Sequence, residues 1–488
     1  MWRNYGKPYT LGRRFCRKGN RMSKKRLVVI AFSLFMVFGL SGCLDLLGVP
    51  GIAVSPDGSR IYFLSGNVMT ESETSSLIFS YAPLNGQATA IGSSMGNFAI
   101  NPVTGEAAYN AFDEASQTTS IMVVDPAGNS RPLVTSEATP NRLIVTMMAY
   151  SPDGSKLALT ALSIPPDVDF NTLESEDTIP AEVLALIKSA AYIVDTASGS
   201  VTPISSPDTQ WANTLDWSPN GQLVAYNAWT DSNADGRIDT LGGLSGMMSG
   251  DFSGTGDLSQ VHIYSVNDGS TTTVASTATA YNPVFISDSQ LAYLSADFAM
   301  MMFGSGLSIN VYDVGSGAST PAYQTTGQIM GMALSPDGSQ VAWTQLPADA
   351  TSGAMGGETS EESPPAELYV SDTTFASPRL VATIPNNFGL IDAPVWMPDG
   401  SGVFVTSTSI FASIISSFGD MFSGMGESFG VTPEPGIEEI PVQNVTFIRI
   451  SDGSSMVVYE GSMVNGSLFA SVFSMAGLNE LEGLVPSE

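Results

Sequence analysis

The sequence predicts an all-β fold, a single β-propeller of seven four-stranded blades, from two kinds of repeated hairpin turn and from their spacing. The first turn reads Ser-Pro-Asp-Gly or a close variant and recurs along the chain. Its clearest copies contain Asp57-Gly58, Asp153-Gly154, Asn220-Gly221, Asp337-Gly338 and Asp399-Gly400. Internal repetition at a period of this size is typical of repeat architectures, propellers among them.

The residue types in this turn predict its geometry. Proline presets φ, aspartate or asparagine bonds its own backbone, and glycine adopts the left-handed conformation that follows. The residues after the turn are apolar on both faces, as in Ile61-Tyr62-Phe63, which predicts a strand that is covered on both sides. A second hairpin signal follows in segments 77–91, 121–134, 191–204, 261–274, 309–323, 368–381 and 445–459. Two hairpins give each unit four antiparallel strands.

The number of units follows from the matching positions in the turn copies. These positions are 57, 105, 153, 220, 288, 337 and 399, and they are 48 to 68 residues apart. Seven flat four-stranded units that are apolar on both faces describe the blades of a propeller. A count of six or eight stays open.

The Ser-Pro-Asp-Gly hairpin with its apolar-aromatic strand resembles the WD-repeat-like propeller repeat of TolB-like proteins. It is also similar to the repeat in propeller domains of prolyl-oligopeptidase-type peptidases. The resemblance covers residues 51–460 and implies a propeller fold and, from the TolB-like proteins, protein–protein contact. TolB-like propellers usually have six blades, so seven is a departure. Since propellers support many unrelated activities, the resemblance does not select one.

The first 43 residues predict a bacterial lipoprotein signal peptide. They contain ten of the 18 basic residues and no acidic residue, and an apolar run ends in Leu40-Ser41-Gly42-Cys43. We expect Cys43 to carry the lipid that anchors the protein to a membrane of the cell envelope. The alternative is an ordinary N-terminal membrane helix, and Met22 is a second candidate start. Residues 44–50 form a linker, and residues 461–488 form a tail with a helix or a ring-closing strand.

The charge of the chain restricts its partners. Without the leader, eight basic residues remain against 47 acidic ones, which gives a net charge of −39. Such a field repels nucleic acids and anionic lipid surfaces and favours cations and basic partners. A simpler explanation is that acidity suits an exported protein. With Cys16 and Cys43 as the only cysteines, the mature domain has no disulfide.

The longer units contain insertions, and we expect these insertions on one face of the propeller. They fall between the second and third strands, at 163–189, 230–259, 295–307, 346–367 and 406–444. In an antiparallel blade these connections leave the face opposite the tight turns, where binding residues are often found. Helical spacing of apolar residues predicts short helices in Pro180–Ala190 and within the last insertion.

One insertion contains a candidate calcium loop. Asp231, Asn233 and Asp235 stand at positions one, three and five of the D-x-[DN]-x-[DN]-G pattern, and Gly236 allows the sharp turn. The carbonyl of Arg237 and the side chain of Asp239 complete the predicted ligands. Gly242 stands where the pattern needs a bidentate acid, and Asp251 or Asp257 are candidates to replace it. The alternative is a polar turn without an ion.

A second motif, Gly92-Ser-Ser94-Met-Gly96, matches the G-x-S-x-G elbow of serine hydrolases. That elbow needs a strand-to-helix turn and a histidine base. His262, the only histidine, lies in a predicted strand of another unit. We therefore expect an ordinary turn between blades at Ser94 and a blade-face residue at His262.

Three functions are consistent with these features. The leading expectation is a non-catalytic scaffold that binds an envelope protein or a glycan through the decorated face. One alternative is an envelope hydrolase or lyase that acts on polysaccharide, for which two carboxylates should converge in a central cleft. The other is a calcium-dependent adhesion module based on the loop at Asp231.

Overall fold

The structure, a computed structural model, describes 16 separate stretches of the chain between residues 52 and 469. They are residues 52–64, 76–82, 87–94, 97–113, 116, 118–166, 168, 186–231, 257–274, 279–296, 307–347, 365–385, 390–391, 393–408, 439–464 and 467–469. The strands in them form seven antiparallel sheets, each built from one continuous part of the chain. The predicted seven-bladed all-β propeller is confirmed. The predicted leader and Cys43 lie outside the described residues.

The first four blades contain strands β1 to β16. In blade 1, β1 to β4 are Ile52–Val54, Ile61–Leu64, Ser76–Ala82 and Gln87–Ser94. In blade 2, β5 to β8 are Phe98–Ile100, Ala107–Asp113, Thr118–Val124 and Ser130–Val134. In blade 3, β9 to β12 are Arg142–Tyr150, Lys156–Ile164, Lys188–Asp195 and Val201–Pro203. In blade 4, β13 to β16 are Gln210–Trp217, Leu223–Thr230, Leu258–Ser265 and Thr271–Thr273.

The last three blades contain β17 to β30, and the seventh is irregular. In blade 5, β17 to β20 are Thr279–Ser287, Gln290–Ala296, Leu307–Asp313 and Ala318–Thr325. In blade 6, β21 to β24 are Gln328–Leu334, Gln340–Leu346, Ala366–Asp372 and Arg379–Ile384. In blade 7, β25 to β30 are Leu390–Ile391, Val395–Trp396, Gly402–Thr408, Glu439–Arg449, Ser455–Val464 and Ser467–Phe469. There β25 and β26 both pair with β27, and β30 adds an outer strand.

The first strand of each blade lies at the centre of the ring. These strands contact one another in turn, β1 with β5, β5 with β9 and so on to β26, which returns to β1. Each pairs with a neighbour on one side only, so its other edge faces the ring axis. The fourth strands β12 and β16 are largely exposed.

Apolar clusters hold the blades together, and each of the seven interfaces between neighbouring blades contains one. Between blades 5 and 6, Trp343 is fully buried and stacks on Tyr369, with ring centroids 5.5 Å apart. Between blades 7 and 1, Phe404 and Phe447 pack with Ile52 and Phe63. Burial of a large apolar side chain contributes about 2–3 kcal/mol, so these clusters close the ring.

The tight turn at Ser335–Ser339 shows why the repeated sequence is needed. The Asp337 carboxylate accepts hydrogen bonds from Ser335 Oγ at 2.6 Å and from the Ser339 backbone N–H at 3.0 Å. Ser335 Oγ in turn accepts one from the Gln340 N–H at 2.9 Å, and Gly338 has a φ of +71°. The Ser335 hydroxyl is the main reason that the pKa of Asp337 lies below its ordinary value.

The same geometry recurs in the other copies of the turn. Asp57 and Asp153 accept the same bonds, and Asn220 accepts equivalent ones through its amide oxygen. Asp399 accepts a bond from the Ser401 backbone N–H at 2.9 Å. In all five turns the aspartate or asparagine therefore accepts a bond from the backbone N–H two residues later, and the glycine that follows it has a φ of +69° to +71°.

Buried polar side chains in the second strands join neighbouring blades near the axis. Asn110 accepts a bond from the Val145 N–H at 3.2 Å, and Thr160 donates one to the Asn213 carbonyl at 2.7 Å. Asn227 occupies the equivalent place in blade 4 and donates to Ser259 Oγ at 3.0 Å. The bonds of Asn110 and Thr160 satisfy backbone groups on the innermost strand of the next blade, which a purely apolar interface would leave unpaired, whereas the bond of Asn227 lies within blade 4.

The connections leave the ring on two different faces. The turns between first and second strands and between third and fourth strands lie on one, the turn face. The connections between second and third strands start and end at the other, the insertion face, and they include 165–187, 231–257, 297–306, 347–365 and 409–438. The sequence predicted this one-sided distribution.

Two helix predictions can be compared with the described residues. The helix predicted for Pro180–Ala190 cannot reach Ala190, because Lys188 begins β11 and pairs with Ser163 of β10. The predicted helix in 409–438 lies outside the described residues. Ser136–Ala138 forms a short 3-10 helix between blades 2 and 3. In the part of the chain that the structure describes, no helix has the length and apolar character needed to cross a bilayer.

Candidate functional site

The root of the blade-3 insertion is fixed to the centre of the ring. Arg142, the first residue of the innermost strand β9, donates through Nη2 to the Pro165 carbonyl at 3.0 Å and to the Val168 carbonyl. Val168 is buried. Because a hydrogen bond from a guanidinium group to a carbonyl is charge-assisted, this contact fixes the position of the first residues of the blade-3 insertion. The start of the blade-3 insertion is therefore bonded to the innermost strand of its own blade.

The root of the blade-4 insertion brings two aspartates together. Thr230, the last residue of β14, pairs with Leu258, the first residue of β15. The same register continued by one step places Asp231 opposite Asp257. Asp257 is 1% exposed, and the Asp231 backbone N–H donates to the Thr209 carbonyl at 3.0 Å.

This arrangement bears on the predicted calcium loop. Asp231 is its first ligand, and Asp257 is one of the two residues suggested in place of Gly242. The other predicted ligands, Asn233, Asp235, Arg237 and Asp239, lie outside the described residues. Within the described ranges, no three His, Cys, Asp or Glu residues are grouped as a metal site would need. Occupancy by calcium stays a prediction.

Ser94 and His262 have separate surroundings. Ser94, the last residue of β4, is buried and donates to the Asn97 carbonyl at 3.1 Å. It is followed by the junction between blades 1 and 2. His262 lies on β15 of blade 4. The sequence-based expectation of an inter-blade turn at Ser94 agrees with this position.

His262 belongs to a buried polar cluster in blade 4. Its Nδ1 lies 3.0 Å from Thr273 Oγ1, and its Nε2 lies 3.2 Å from Gln210 Nε2 and 3.4 Å from Thr230 Oγ1. The ring stacks on Tyr226, with centroids 5.2 Å apart. Burial lowers the pKa of His262 to about 4, so the imidazole is neutral near pH 7. The histidine is a structural residue inside the blade.

Asp216 is a further candidate, and it lies beside the ring axis. It is the second-to-last residue of the innermost strand β13 and is half-buried. Its Oδ2 accepts a hydrogen bond of 2.7 Å from the Phe285 backbone N–H on the innermost strand of blade 5. Burial raises the pKa of Asp216 to about 7, although the amides of Phe285 and Trp217 oppose the shift. Strongly shifted carboxylates are frequent at functional sites.

Sequence reasoning missed Asp216, although the repeat contains a signal for it. In the other copies, the residue two places before the turn serine or its equivalent is apolar. Those residues are Ala53, Ala99, Ala149, Phe285, Ala333 and Val395. A comparison of the seven copies of the repeat would have identified Asp216 as the one carboxylate at this position.

The fold is similar to those of solved propeller structures, all at low sequence identity. A prolyl endopeptidase structure is 10% identical with a TM-score of 0.50, and the match covers 90% of this chain and 54% of that one. An oligogalacturonate lyase in complex with manganese is 15% identical with a TM-score of 0.48, covering 73% and 84%. TolB from Acinetobacter baumannii is 16% identical with a TM-score of 0.37, covering 70% and 66%.

The likeness to the prolyl endopeptidase structure shows the fold alone and leaves the activity open, because one fold supports many functions. No family model matches the sequence, and no curated protein matches it.

Proposed function

We propose that this protein is a non-catalytic scaffold of a bacterial cell envelope, anchored by a lipid on Cys43, that binds a protein or a glycan through its insertion face. The observation that carries the proposal is the one-sided distribution of added chain. The connections 165–187, 231–257, 347–365 and 409–438 all leave the insertion face, whereas the turn face has tight hairpins. Variable loops on one side of a rigid frame are a common basis for recognition.

The scaffold also agrees with the polar groups that the structure describes. Ser94 donates to a backbone carbonyl, and His262 is neutral and bonded within blade 4. The net charge of −39 for the chain without its leader favours a basic or neutral partner over an anionic one.

Crosslinking in intact cells tests this proposal. The full lipidated protein is compared with a variant in which residues 409–438 are replaced by a short Gly-Ser hairpin. The matched control carries Asp268→Lys and Asp313→Lys on the turn face. We expect one specific partner that the insertion variant loses and the control keeps. Equal recovery by all three proteins would contradict binding through the insertion face.

The anchor has its own test. In Cys43→Ser the lipid attachment site is removed, so we expect the protein to move from the membrane fraction to the soluble envelope fraction. Continued membrane association would contradict anchoring through Cys43. This result is independent of partner binding.

A catalytic alternative rests on Asp216. A carboxyl with a raised pKa could act as the general acid of a polysaccharide hydrolase or lyase. Such chemistry needs a second carboxylate, and the other described aspartates with a resolved shift, such as Asp57 and Asp337, have lowered pKa values. Release of reducing or unsaturated sugar ends from envelope polysaccharide, lost in Asp216→Asn, would favour this alternative.

We further propose that calcium orders the blade-4 insertion, with Asp257 supplying the acid that Gly242 lacks. The support is the register that places buried Asp257 opposite Asp231, because paired carboxylates are stabilised by a cation between them. Calorimetric titration should show calcium binding that both Asp235→Ala and Asp257→Asn weaken at least tenfold. Unchanged binding in Asp257→Asn would remove that residue from the site.

A further inference from the structure

The innermost strands contain very few charged residues. In the described strands β1, β5, β9, β13, β17, β21, β25 and β26, the charged side chains are Arg142 and Asp216. Arg142 is bonded to two carbonyls of its own blade's insertion. Asp216 is bonded to backbone amides and takes no part in the ion pairs found among the described residues. A carboxylate at this position therefore has capacity for a cationic partner.

A second acceptor lies on the same strand. Asn213 and Thr214 both stand opposite Asn227, which makes a bulge in β13. Asn213 is 6% exposed, and its Oδ1 has no hydrogen-bond partner within the described residues. A buried amide oxygen without a donor is destabilising, so a ligand that supplies a donor would offset that cost.

The strand that carries the two acceptors is the innermost strand of blade 4. Strand β13 pairs with β14 on one side, and it contacts the innermost strands of blades 3 and 5. Asp216 is near the turn-face end of β13, three residues from Asn213. The site is therefore distinct from the insertion face, and it does not depend on the proposed scaffold function.

The chemistry of the acceptors selects the ligand. A calcium ion needs six to eight oxygen ligands, and the described residues contain no group of three or more candidate metal ligands. Ammonium and guanidinium groups instead donate N–H hydrogen bonds, which a carboxylate and an amide oxygen both accept. The acidic chain also concentrates cations near its surface.

We propose that the axial wall of blade 4 binds a small organic cation, with Asp216 and Asn213 accepting hydrogen bonds from its primary ammonium or guanidinium group. The site requires N–H donors as well as positive charge. A quaternary ammonium ion, which has charge and no N–H, should bind poorly.

Isothermal titration of the full-length protein with agmatine tests the proposal, with tetramethylammonium as the second titrant. We expect saturable binding of one agmatine per chain and at least tenfold weaker binding of tetramethylammonium. Asp216→Asn should weaken agmatine binding at least tenfold. Asp268→Asn, which removes the same charge from an exposed turn of blade 4, should change it less than twofold.

A second variant keeps the proposal testable if Asp216→Asn fails to fold. Asn213→Ser removes the amide oxygen and should weaken agmatine binding severalfold, with melting measured for every variant. Three results would overturn the proposal: no saturable binding by the unaltered protein, equal binding of tetramethylammonium, or equal loss in Asp216→Asn and Asp268→Asn.

Discussion

Asp216 on the innermost strand of blade 4 accepts a hydrogen bond of 2.7 Å from the backbone N–H of Phe285 on the innermost strand of blade 5. In the other copies of the repeat, the residue at the position of Asp216 is apolar, and blade 5 itself has Phe285 there. The interface between blades 4 and 5 thus contains a carboxylate where its equivalents contain alanine, valine or phenylalanine. This difference gives the ring a titratable group beside its axis.

Asp216→Asn should stabilise the protein at high pH. The folded-state pKa of about 7 lies above the ordinary value of 3.8, so ionisation of Asp216 costs stability as pH rises between these values. Asparagine keeps an acceptor for Phe285 and has no charge. We expect a gain on the order of 2 kcal/mol at pH 8, since the half-buried carboxylate keeps some hydration. The gain should vanish near pH 4 in denaturant unfolding.

Asp268→Asn is the control for that measurement, because the pKa of Asp268 is lowered on folding whereas that of Asp216 is raised. Hydrogen bonds from Ser270 hold the pKa of exposed Asp268 below its ordinary value, so its contribution is present at neutral pH and lost as pH falls. This variant should be less stable than the unaltered protein at pH 8. A stabilisation at pH 8 in both variants would indicate a general effect of lowering the net charge.

His262→Gln should make stability less sensitive to acid. The folded-state pKa of about 4 lies below the ordinary value of 6.5, so the unfolded chain binds a proton first. Stability from this group is complete above pH 6.5 and falls by about 2–3 kcal/mol as pH approaches 4. Glutamine cannot be protonated. The slope of the unfolding free energy against pH, measured between pH 6.5 and 5, should therefore decrease by the equivalent of up to one bound proton.

Asp216 and His262 act in opposite directions over the same pH range, so the unaltered protein alone will not separate them. The double variant should show the sum of the two single effects, since the groups lie in different parts of blade 4. A slope in His262→Gln that equals that of the unaltered protein would mean that the imidazole is already protonated in the folded state.

Two glycine substitutions separate backbone strain from a steric clash. Gly199 and Gly338 both have a φ of +71°. A Cβ at Gly338 would have open space, whereas a Cβ at Gly199 would meet the Leu133 carbonyl oxygen of the neighbouring blade. Gly338→Ala should cost about 1 kcal/mol from the left-handed conformation alone.

Gly199→Ala should cost at least about 1 kcal/mol more than Gly338→Ala, because blades 2 and 3 would have to separate locally. Thermal melting of the two variants side by side measures the difference. Equal melting temperatures would show that the contact between the blade-3 turn and Leu133 relaxes without cost.

Trp343→Ala should destabilise the propeller strongly. Trp343 is fully buried and contacts Tyr323, Tyr369 and Phe375 between blades 5 and 6. Removal of such a ring costs about 3–5 kcal/mol. Leu380→Ala is the control, since Leu380 is 45% exposed and should change stability by less than about 0.5 kcal/mol. Comparable melting of the two variants would contradict the role of this cluster.

Much of the fold could be predicted because its signals are local. A Ser-Pro-Asp-Gly turn specifies its own hydrogen bonds, as Ser335, Asp337 and Gly338 show, and so it marks the first hairpin of a blade wherever it occurs. The order of strands then places the connections between second and third strands on one face. The prediction at Pro180–Ala190 failed at its end because pairing of Lys188 with Ser163 overrides helical propensity.

The candidate site depends on contacts between residues that are distant in sequence. Asp216 meets Phe285 69 positions later, and Asp257 comes to lie opposite Asp231 across a 25-residue insertion. Nothing in the residues around either aspartate specifies those neighbours. The loop motif at Asp231 indicated calcium from spacing alone, and the register of β14 and β15 is the basis of the role proposed for Asp257.

The amino-acid sequence alone determined the repeat and the face that carries the insertions, because turn geometry and strand alternation depend on neighbouring residues, and the closed ring fixed the count at seven. The tertiary structure decided which side chains share the axis and which carboxyl is desolvated. Burial and hydrogen bonding between blades set the pKa of Asp216, and those effects exist only once the ring has closed.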